Sequence, residues 1–192
     1  MTGGLWQSSV VEKTTGGRRV GDPWVATGIS FDSRLTRPGD LFLALNGGER
    51  DGHDFVVGAF KNGAVVAVVE KIPESTNGEG SFLLVNNVYK ALQDLALEAR
   101  FRAPVTVVAV TGSVGKTGTK DTLAAALSKS FKVHSTSGNL NNHIGLPLSL
   151  ARMPKETKFG IFELGMNHSG EIGHLSNLVK PELAIITNVN AV

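Results

Sequence analysis

The sequence predicts an α/β protein with two domains, a small mixed α/β domain over residues 1–104 and a parallel-sheet domain over residues 105–192. In the second region, apolar runs of strand length alternate with helical segments, which is typical of a parallel sheet covered by helices. In the first region, short apolar runs lie between turns that contain glycine and proline. An amphipathic segment ends at Pro104, and we expect the domain boundary there because proline stops a helix.

Four strands and two helices are predicted in the first domain. The strands cover residues 25–31, 40–45, 64–69 and 82–85, and the helices cover residues 53–62 and 87–102. A turn at residues 37–40 separates the first two strands, because proline fixes φ and glycine supplies an unusual φ. Gly63 ends the first helix as a C-cap. Residues 46–52 form a glycine-rich loop, and residues 73–80 form a polar surface loop. The second helix has one apolar face, formed by Ala91, Leu92, Leu95 and Ala99.

Strands and helices alternate through the second domain. The strands are predicted at residues 105–110, 131–134, 159–164 and 183–187, and the helices at residues 117–130, 144–152 and 171–178. Residues 105–110 form an apolar, β-branched run, as expected for a strand that is buried on both faces. We expect the first of these helices to turn Leu123, Ala126 and Leu127 toward the sheet.

The composition excludes several classes of protein. Hydrophobic residues make up 41% of the 192 residues and charged residues 19%, a globular balance that excludes a fibrous or largely disordered chain. Cysteine is absent, which excludes disulfides and thiolate zinc sites. The sequence contains no secretory signal and no run that approaches the ~20 apolar residues of a membrane span. We therefore expect a cytoplasmic protein that does not insert into membranes.

The charge distribution favours a phosphate ligand over a nucleic acid. Residues 1–104 contain 11 basic and 12 acidic side chains, and residues 105–192 contain 8 and 5. The second domain therefore carries a mild positive charge. This excess is far smaller than the basic stripe of a nucleic-acid-binding protein, so no nucleic-acid partner is expected.

Residues 110–117, Val-Thr-Gly-Ser-Val-Gly-Lys-Thr, stand between a predicted strand and a predicted helix. Glycines let the backbone turn its N–H groups toward a phosphate, and the following helix directs its positive end at the same anion. Lys116 would reach the β- and γ-phosphates, and the Thr117 hydroxyl would hold Mg²⁺. Val110 replaces the first glycine of the general pattern, so the motif is GxxGKT. A plain glycine turn is the alternative, but the strand and helix context favours binding of a nucleoside triphosphate.

Two further segments of the second domain are candidates for the same site. Glu163 ends an apolar strand, where a carboxylate is well placed to hold Mg²⁺ on a triphosphate; the alternative is an edge or ion-paired acid. Residues 138–145 are dense in amides and glycine, as in a polar binding loop, or else in a surface turn that caps a helix. His168 lies beside the end of the Glu163 strand and is a weaker candidate. The other histidines of this domain and the two tryptophans fit structural or solvent-exposed positions better than roles in a ligand site; they are His134, His143, His174, Trp6 and Trp24.

Three ordered segments, residues 111–117, 138–147 and 163–172, resemble consecutive signatures of the Mur ligase family. Residues 30–34, 38–42 and 51–55 resemble the UDP-sugar-binding domain of that family. The similarity covers essentially the whole chain in the right order. It implies a domain that binds UDP-sugar (muramoyl peptide) over residues 1–104, followed by an incomplete P-loop parallel-sheet ATP-binding domain over residues 105–192.

The resemblance implies an ATP-dependent amide ligase of peptidoglycan precursor synthesis, and hence a role in cell wall formation, cell shape and cell division. In the branch of the family that these segments resemble most, ATP phosphorylates the terminal carboxylate of UDP-MurNAc-tripeptide. The amine of D-Ala-D-Ala then attacks the acyl phosphate to form an amide. The partners implied are therefore UDP-MurNAc-tripeptide and D-Ala-D-Ala, with ATP and Mg²⁺ as cofactors.

The resemblance also assigns roles to individual residues. Lys116 and Glu163 would be catalytic, and Thr117 and Glu163 would ligate Mg²⁺. The implied ATP-binding residues are Thr111, Gly112, Ser113, Val114, Gly115, Lys116, Thr117 and Gly118. The implied substrate-binding residues are Asp32, Ser33, Arg34, Asp51, His53, Asn139 and Asn142.

Two departures from the family pattern change what is expected of this chain. Gly118 stands where serine is common, which should weaken the start of the helix by ~1 kcal/mol. Mur ligases have three domains, and the resemblance places Val192 inside the central one. We therefore expect a truncated form that lacks the D-Ala-D-Ala site and does not complete the ligation. The alternatives are a non-catalytic fragment that binds ATP and UDP-sugar, a small-molecule kinase, or a folylpolyglutamate synthase-like ligase; residues 32–34 and 51–55 argue against the last two.

Overall fold

The computed structural model describes residues 4–48, 50–102, 104–138, 140–166 and 168–189. The chain forms two compact units, Met1–Leu95 and Ala96–Val192. The division falls within the helix Val88–Phe101, before the boundary predicted at Pro104. The predicted domain ranges 1–104 and 105–192 remain predictions, and each unit is described by itself.

The first unit is a mixed α/β structure, as predicted. Its elements are β1 (Trp6–Gln7), α1 (Ser8–Thr15), β2 (Arg18–Val20), β3 (Val25–Ala26), β4 (Gly28–Ser30), β5 (Asp40–Leu43), α2 (Val56–Lys61), β6 (Val66–Val69), β7 (Phe82–Leu84) and the first part of α3 (Val88–Phe101). A five-stranded sheet has the order β2-β7-β6-β5-β4, and a small antiparallel sheet pairs β1 with β3. All pairs of the larger sheet are parallel except β2 with β7.

One hydrophobic cluster of the first unit lies between this sheet and α2. Phe42 of β5, Ala67 of β6 and Phe82 of β7 are fully buried against Val56 and Ala59 of α2. These apolar side chains come from strands that carry few polar residues, which explains why the strand prediction succeeded there. The predicted apolar face of α3 is also buried.

Several boundaries in the first unit differ from the prediction. The predicted strand 25–31 is two strands in two sheets, because the chain passes from the β1 pairing to the β5 pairing at Thr27. The predicted helix 53–62 begins with a 3₁₀ turn at Gly52–Phe55 and becomes α-helical at Val56. A short 3₁₀ turn at Glu74–Thr76 lies within the predicted surface loop. No element was predicted over β1, α1 and β2, since the α1 sequence is rich in serine, threonine and valine, which are weak helix formers.

The second unit contains the predicted parallel sheet. Its elements after α3 are β8 (Thr106–Thr111), α4 (Lys116–Leu127), β9 (Val133–Ser135), α5 (Gly145–Ala151), β10 (Phe159–Glu163), α6 (Glu171–Val179) and β11 (Leu183–Ile186). The strand order is β11-β8-β10-β9, and every pair is parallel. The carboxyl ends of all four strands therefore meet at one edge of the sheet, where ligands of such sheets bind. Among the described residues, no helix is long and apolar enough to cross a membrane.

The core of the second unit lies on the face of the sheet that α5 and α6 cover. Phe162 and Leu164, at the end of β10, are buried there with Leu146, Leu150 and Leu175. Helix α4 contacts β8, β9 and β10.

The inward face of α4 differs from the prediction. Leu123 and Leu127 are half-buried, as expected, but Ala126 is exposed and the prediction for it is wrong. The buried residue of α4 is Lys120, whose Nζ donates to Thr136 O just after β9.

Arg100, near the end of α3, fixes the chain between α6 and β11. Its Nε donates to Val179 O at 2.7 Å, and its Nη2 donates to Lys180 O at 2.8 Å and to Glu182 Oε1 at 2.7 Å. The other Glu182 oxygen accepts from Val107 N at 2.6 Å. A buried guanidinium thus satisfies the carbonyls at the end of α6 and sets the point at which β11 joins β8.

His134 on β9 makes the stability of the second unit pH-dependent. Its Nε2 lies 2.7 Å from Ser149 O on α5, and its ring packs near Phe162. Burial lowers the pKa of His134 below its usual 6.5 and the positive charge of Arg152 lowers it further, while the hydrogen bond to Ser149 opposes the shift. The folded state therefore holds this ring neutral at a pH where the unfolded chain already binds a proton.

We expect the free energy of unfolding to fall as the pH is lowered from 7 through the unfolded-state pKa near 6.5, because protonation then favours the unfolded chain. Urea titrations at pH 7.5, 6.5 and 5.5 measure this slope. His134→Gln should flatten it, whereas His174→Gln, at an exposed position on α6, should leave it unchanged. A slope that is the same in the parent chain and in His134→Gln would contradict the assignment.

Candidate functional site

The loop between β8 and α4 lies at the carboxyl edge of the parallel sheet. Gly115 precedes α4 with φ of 83°, a left-handed conformation that glycine adopts without strain. Gly112 has φ of 136°, and a Cβ there would lie 2.1 Å from Thr187 Oγ1 and 2.9 Å from Asn188 O. The two glycines of the motif are therefore required for different reasons, one for backbone conformation alone and the other also for close packing against the chain after β11.

The start of α4 presents backbone donors at this edge. Thr119 N donates to Gly115 O at 3.0 Å, so the N–H groups of Lys116, Thr117 and Gly118 precede this bond and have no carbonyl partner within the helix. Such groups, at the positive end of a helix of 12 residues, favour an anion. The start of α4, inside the predicted ATP-binding segment, thus presents backbone donors that suit a phosphate, and the ATP-binding roles of the individual residues stay predictions.

Lys116 extends along the same loop. Its Nζ donates to Gly112 O at 2.6 Å and to Ser113 O at 3.3 Å. These contacts hold the positive charge of Lys116 against the loop that leads into α4.

Glu163 joins this loop to the neighbouring strand. Its carboxylate is 2% exposed, accepts from Thr117 Oγ1 at 2.9 Å through Oε2, and accepts from Asn141 Nδ2 at 2.8 Å through Oε1. Its backbone N donates to Thr136 Oγ1 at 3.1 Å. The structure therefore brings together Thr117 and Glu163, the two predicted metal ligands. Sequence reasoning missed Asn141 and Thr136 as partners of Glu163; Asn141 belongs to the amide-rich segment, but nothing in the sequence separates it from its neighbours.

A cavity of about 720 Å³ opens beside Lys116. Its lining includes Asn141, Asn142 and His143 from the loop before α5, and His168, Glu171 and His174 from the segment after β10. Asn142, a predicted substrate residue, also accepts from Gly145 N at 2.8 Å and so caps the start of α5. Asn139, also predicted to contact substrate, lies outside the described residues. Among the described residues, no three histidine or acidic side chains form a cluster that could hold a metal ion.

A second cavity, of about 300 Å³, lies within the first unit. Its lining includes the predicted residues Asp32, Ser33 and Arg34, together with Arg50 and two aromatic side chains, Phe31 and Phe55. Arg34 donates to both carboxylate oxygens of Asp32, at 2.9 Å and 2.6 Å. This hydrogen-bonded pair lowers the pKa of Asp32 below its usual value. The cavity therefore combines a fixed acid–base pair, a second arginine and flat apolar surfaces.

Asp51 and His53 lie outside the described lining of that cavity. His53 is 3% exposed; its Nδ1 lies 2.5 Å from Asp51 Oδ1, and its Nε2 accepts from Glu70 N at 2.9 Å. Because Nε2 is an acceptor, the ring proton lies on Nδ1 and is donated to Asp51. The hydrogen bond from the backbone N–H of His53 lowers the pKa of Asp51 most, and the hydrogen bond from the His53 ring lowers it further. These two side chains fix the loop after β5 to the end of β6, and a direct substrate contact for them stays a prediction.

A parallel sheet whose central strand ends in a glycine loop, with lysine and threonine opening the next helix and a carboxylate on the adjacent strand, defines a P-loop α/β protein. The family model "Mur ligase middle domain" matches residues 110–191, and "Mur ligase family, catalytic domain" matches residues 25–110. The chain therefore belongs to the Mur ligase family, and the prediction from the ordered segments is confirmed.

The chain is similar to curated members of this family. The UDP-N-acetylmuramoyl-tripeptide–D-alanyl-D-alanine ligase of Rickettsia prowazekii is 44% identical over 84% of this chain and 36% of the relative. The Bacillus subtilis enzyme of the same name is 40% identical over 86% of this chain and 36% of the relative. The chain thus spans about 36% of the length of these curated relatives.

Solved structures share the fold. The Acinetobacter baumannii UDP-N-acetylmuramoylalanyl-D-glutamyl-2,6-diaminopimelate–D-alanyl-D-alanyl ligase superposes with a TM-score of 0.84 at 36% identity, over 97% of this chain and 42% of that one. The Thermotoga maritima MurF ligase in complex with ADP superposes with a TM-score of 0.68 at 35% identity, over 84% of this chain and 37% of that one.

The two glycines at 112 and 118 provide a matched test of the loop. Gly112→Ala should lower the free energy of unfolding by roughly 1–3 kcal/mol, because its Cβ collides with Thr187 and Asn188 at a positive φ. Gly118→Ala has open space and should raise stability by up to ~1 kcal/mol, since alanine favours the helix. Urea denaturation of both variants measures the difference, and equal stabilities would contradict this account of the loop.

Proposed function

We propose that the chain carries the UDP-sugar-binding and ATP-binding parts of a ligase that joins D-Ala-D-Ala to UDP-MurNAc-tripeptide in peptidoglycan precursor synthesis. The observation that carries the proposal is the contact of 2.9 Å between Thr117 Oγ1 and the buried Glu163 carboxylate, beside Lys116 and the free N–H groups of α4. The names of the similar enzymes supply the acid and amine substrates. Because ATP and a nucleotide-linked precursor are cytoplasmic metabolites, we place the activity in the cytoplasm.

The donor set at this edge of the sheet fits Mg²⁺. A hydroxyl and a carboxylate oxygen are hard ligands, and Mg²⁺ sites of this kind use one or two carboxylates together with substrate phosphates. Thr117 and Glu163 would hold the ion, and Asn141 would keep the carboxylate oriented through its bond of 2.8 Å to the other oxygen. When bound, Mg²⁺ neutralises negative charge on the phosphates.

The residues of this chain would act by position and charge. The N–H groups at the start of α4 hold the phosphates, and Lys116 neutralises the transferred γ-phosphoryl group. The terminal carboxylate of the peptide attacks that phosphorus, ADP leaves, and an acyl phosphate forms. The amine of D-Ala-D-Ala then attacks the acyl carbon and displaces phosphate. The 720 Å³ cavity beside Lys116 offers room for the peptide carboxylate, with the side chains of Asn142 and His168 within its lining.

The cavity of the first unit supports a role in binding the UDP-sugar. Arg34 and Arg50 supply positive charge that suits a diphosphate, and Phe31 and Phe55 supply flat apolar surfaces that suit a base or sugar. Asp32 holds Arg34 through two hydrogen bonds, which fixes the guanidinium at the cavity wall.

The same site also supports a second candidate function, in which this chain binds nucleotide without ligation. The observation that favours it is that every phosphate and metal contact proposed above lies between residues 112 and 163, within a single unit. The phosphate and metal contacts of this proposal are therefore all supplied by one unit of this chain.

Two substitutions test the nucleotide site. Lys116→Ala should weaken ADP binding about 10- to 100-fold, because a charge-assisted hydrogen bond contributes about 1.5–3 kcal/mol. Glu163→Gln should remove the gain in ADP affinity that Mg²⁺ provides, while binding in EDTA changes little. Isothermal titration calorimetry with and without Mg²⁺ measures both effects. Lys129→Ala, at an exposed position after α4, is the matched control and should bind as the parent does; unchanged affinity in Lys116→Ala would overturn the site.

A turnover assay separates the two candidate functions. The chain is incubated with ATP, Mg²⁺, UDP-MurNAc-tripeptide and D-Ala-D-Ala, and phosphate release and product mass are measured. Ligation predicts both phosphate and the amide product, and both should disappear in Lys116→Ala. Nucleotide binding alone predicts a saturable ADP titration with neither phosphate nor product.

A further inference from the structure

The two residues that follow β11, Thr187 and Asn188, lie directly against the loop of residues 112–115 between β8 and α4, named here the phosphate loop. Thr187 N donates to Thr111 O at 2.9 Å, and Thr187 Oγ1 donates to Val114 O at 2.6 Å. Asn188 accepts twice, from Ser113 N at 3.1 Å through its backbone oxygen and from Val114 N at 2.9 Å through Oδ1. The turn of the loop is therefore bonded to a segment 74 residues further along the chain.

These bonds divide the N–H groups of the loop into two sets. The N–H groups of Ser113 and Val114 are directed at Asn188 and are not free to bind an anion. Those of Lys116, Thr117 and Gly118 are left for the phosphates. By accepting from Ser113 and Val114, Asn188 leaves the N–H groups at the start of α4 as the donors that face the ligand. Asn188 itself bonds to the loop and makes no proposed contact with the ligand.

The side chain of Asn188 also lowers the cost of ordering the loop. Fixing the backbone of a loop residue costs conformational entropy, and a loop that is already fixed does not incur this cost on binding. Val114 depends on these hydrogen bonds for its position, because it is 65% exposed and packing does little to hold it. The opposite side of the loop is held by Thr111 Oγ1, which donates to Leu164 O at 3.0 Å.

We infer that Asn188 is a positioning residue for nucleotide phosphates, which acts by holding Val114 and Ser113 so that the start of α4 is open to the phosphate groups. This inference rests on the proposed nucleotide site. It adds a residue outside the motif, in the segment that follows β11 and on the other side of β8 from the Glu163 strand, to the set that determines phosphate affinity.

The test compares Asn188→Ala with the matched control Asn177→Ala, an exposed position on α6. Isothermal titration calorimetry measures the Kd of each variant for ADP with Mg²⁺ and for adenosine, which carries no phosphate. We expect Asn188→Ala to weaken ADP binding about 10-fold, which corresponds to ~1.4 kcal/mol, and to change adenosine binding less than about two-fold. Asn177→Ala should bind both ligands as the parent chain does.

Amide hydrogen exchange supplies a readout that does not depend on the ligand. The Val114 N–H should exchange faster in Asn188→Ala than in the parent chain, because it loses its acceptor. Asn188→Asp keeps an acceptor oxygen in the same position and should restore slow exchange at Val114.

Three results would overturn the inference. One is an ADP Kd in Asn188→Ala within two-fold of the parent value, and another is an equal loss of adenosine binding, which would mark a general loss of structure. The third is unchanged exchange at Val114 in Asn188→Ala. Failure of the parent chain itself to bind ADP would instead overturn the proposed function on which the inference rests.

Discussion

The buried carboxylate of Glu163 is the interaction on which the site depends. A carboxylate that is 2% exposed is costly to bury unless hydrogen bonds replace the lost water. Thr117 and Asn141 supply those bonds from two different segments, the start of α4 and the loop before α5. The same requirement therefore fixes the helix, the loop and the end of β10 relative to one another. The positions of Thr117 and Asn141 at the edge of the sheet therefore follow from the hydrogen bonds that the buried Glu163 carboxylate requires.

Lys120 extends this network behind the site. Its Nζ donates to Thr136 O at 2.6 Å and lies 2.9 Å from Asp121 Oδ1. The hydroxyl of the same Thr136 accepts from the backbone of Glu163. Helix α4 is thus joined to β9 and β10 by polar contacts, although its apolar side chains are only partly buried. Buried polar networks that are fully bonded tend to specify a single arrangement, and here that arrangement aligns the helix with the acid.

The sequence predicted the features that depend on local chemistry. The phosphate loop, the parallel sheet and the place of Glu163 could be predicted because strand, glycine turn and helix stand next to one another in the chain. The ordered segments further identified the family. By contrast, the parts that depend on distant contacts could not be predicted. Asn141 is one of several similar amides, and only the fold selects it.

Other features needed the three-dimensional structure for related reasons. The break of strand 25–31 at Thr27 depends on two competing pairing partners, which the run of residues alone does not reveal. His53 has the residue type of a ligand-binding group, but its burial between Asp51 and Glu70 depends on how β6 ends. Lys120 is buried on α4 because its Nζ bonds to Thr136 O just after β9, a contact that the helical pattern does not reveal. Burial of a side chain is a property of the assembled sheet and is weakly encoded in any one segment.

The close packing of Gly112 against Thr187 also has a consequence for the order of folding. The phosphate loop belongs to β8 and α4, yet it is complete only when β11 has paired with β8, and that pairing joins residues far apart in the chain. Contacts of such long sequence separation form late, because the intervening chain loses entropy before they are made. When β8 and α4 have emerged from the ribosome but β11 has not, the nascent chain therefore contains the whole motif. It still lacks the loop conformation that phosphate binding requires.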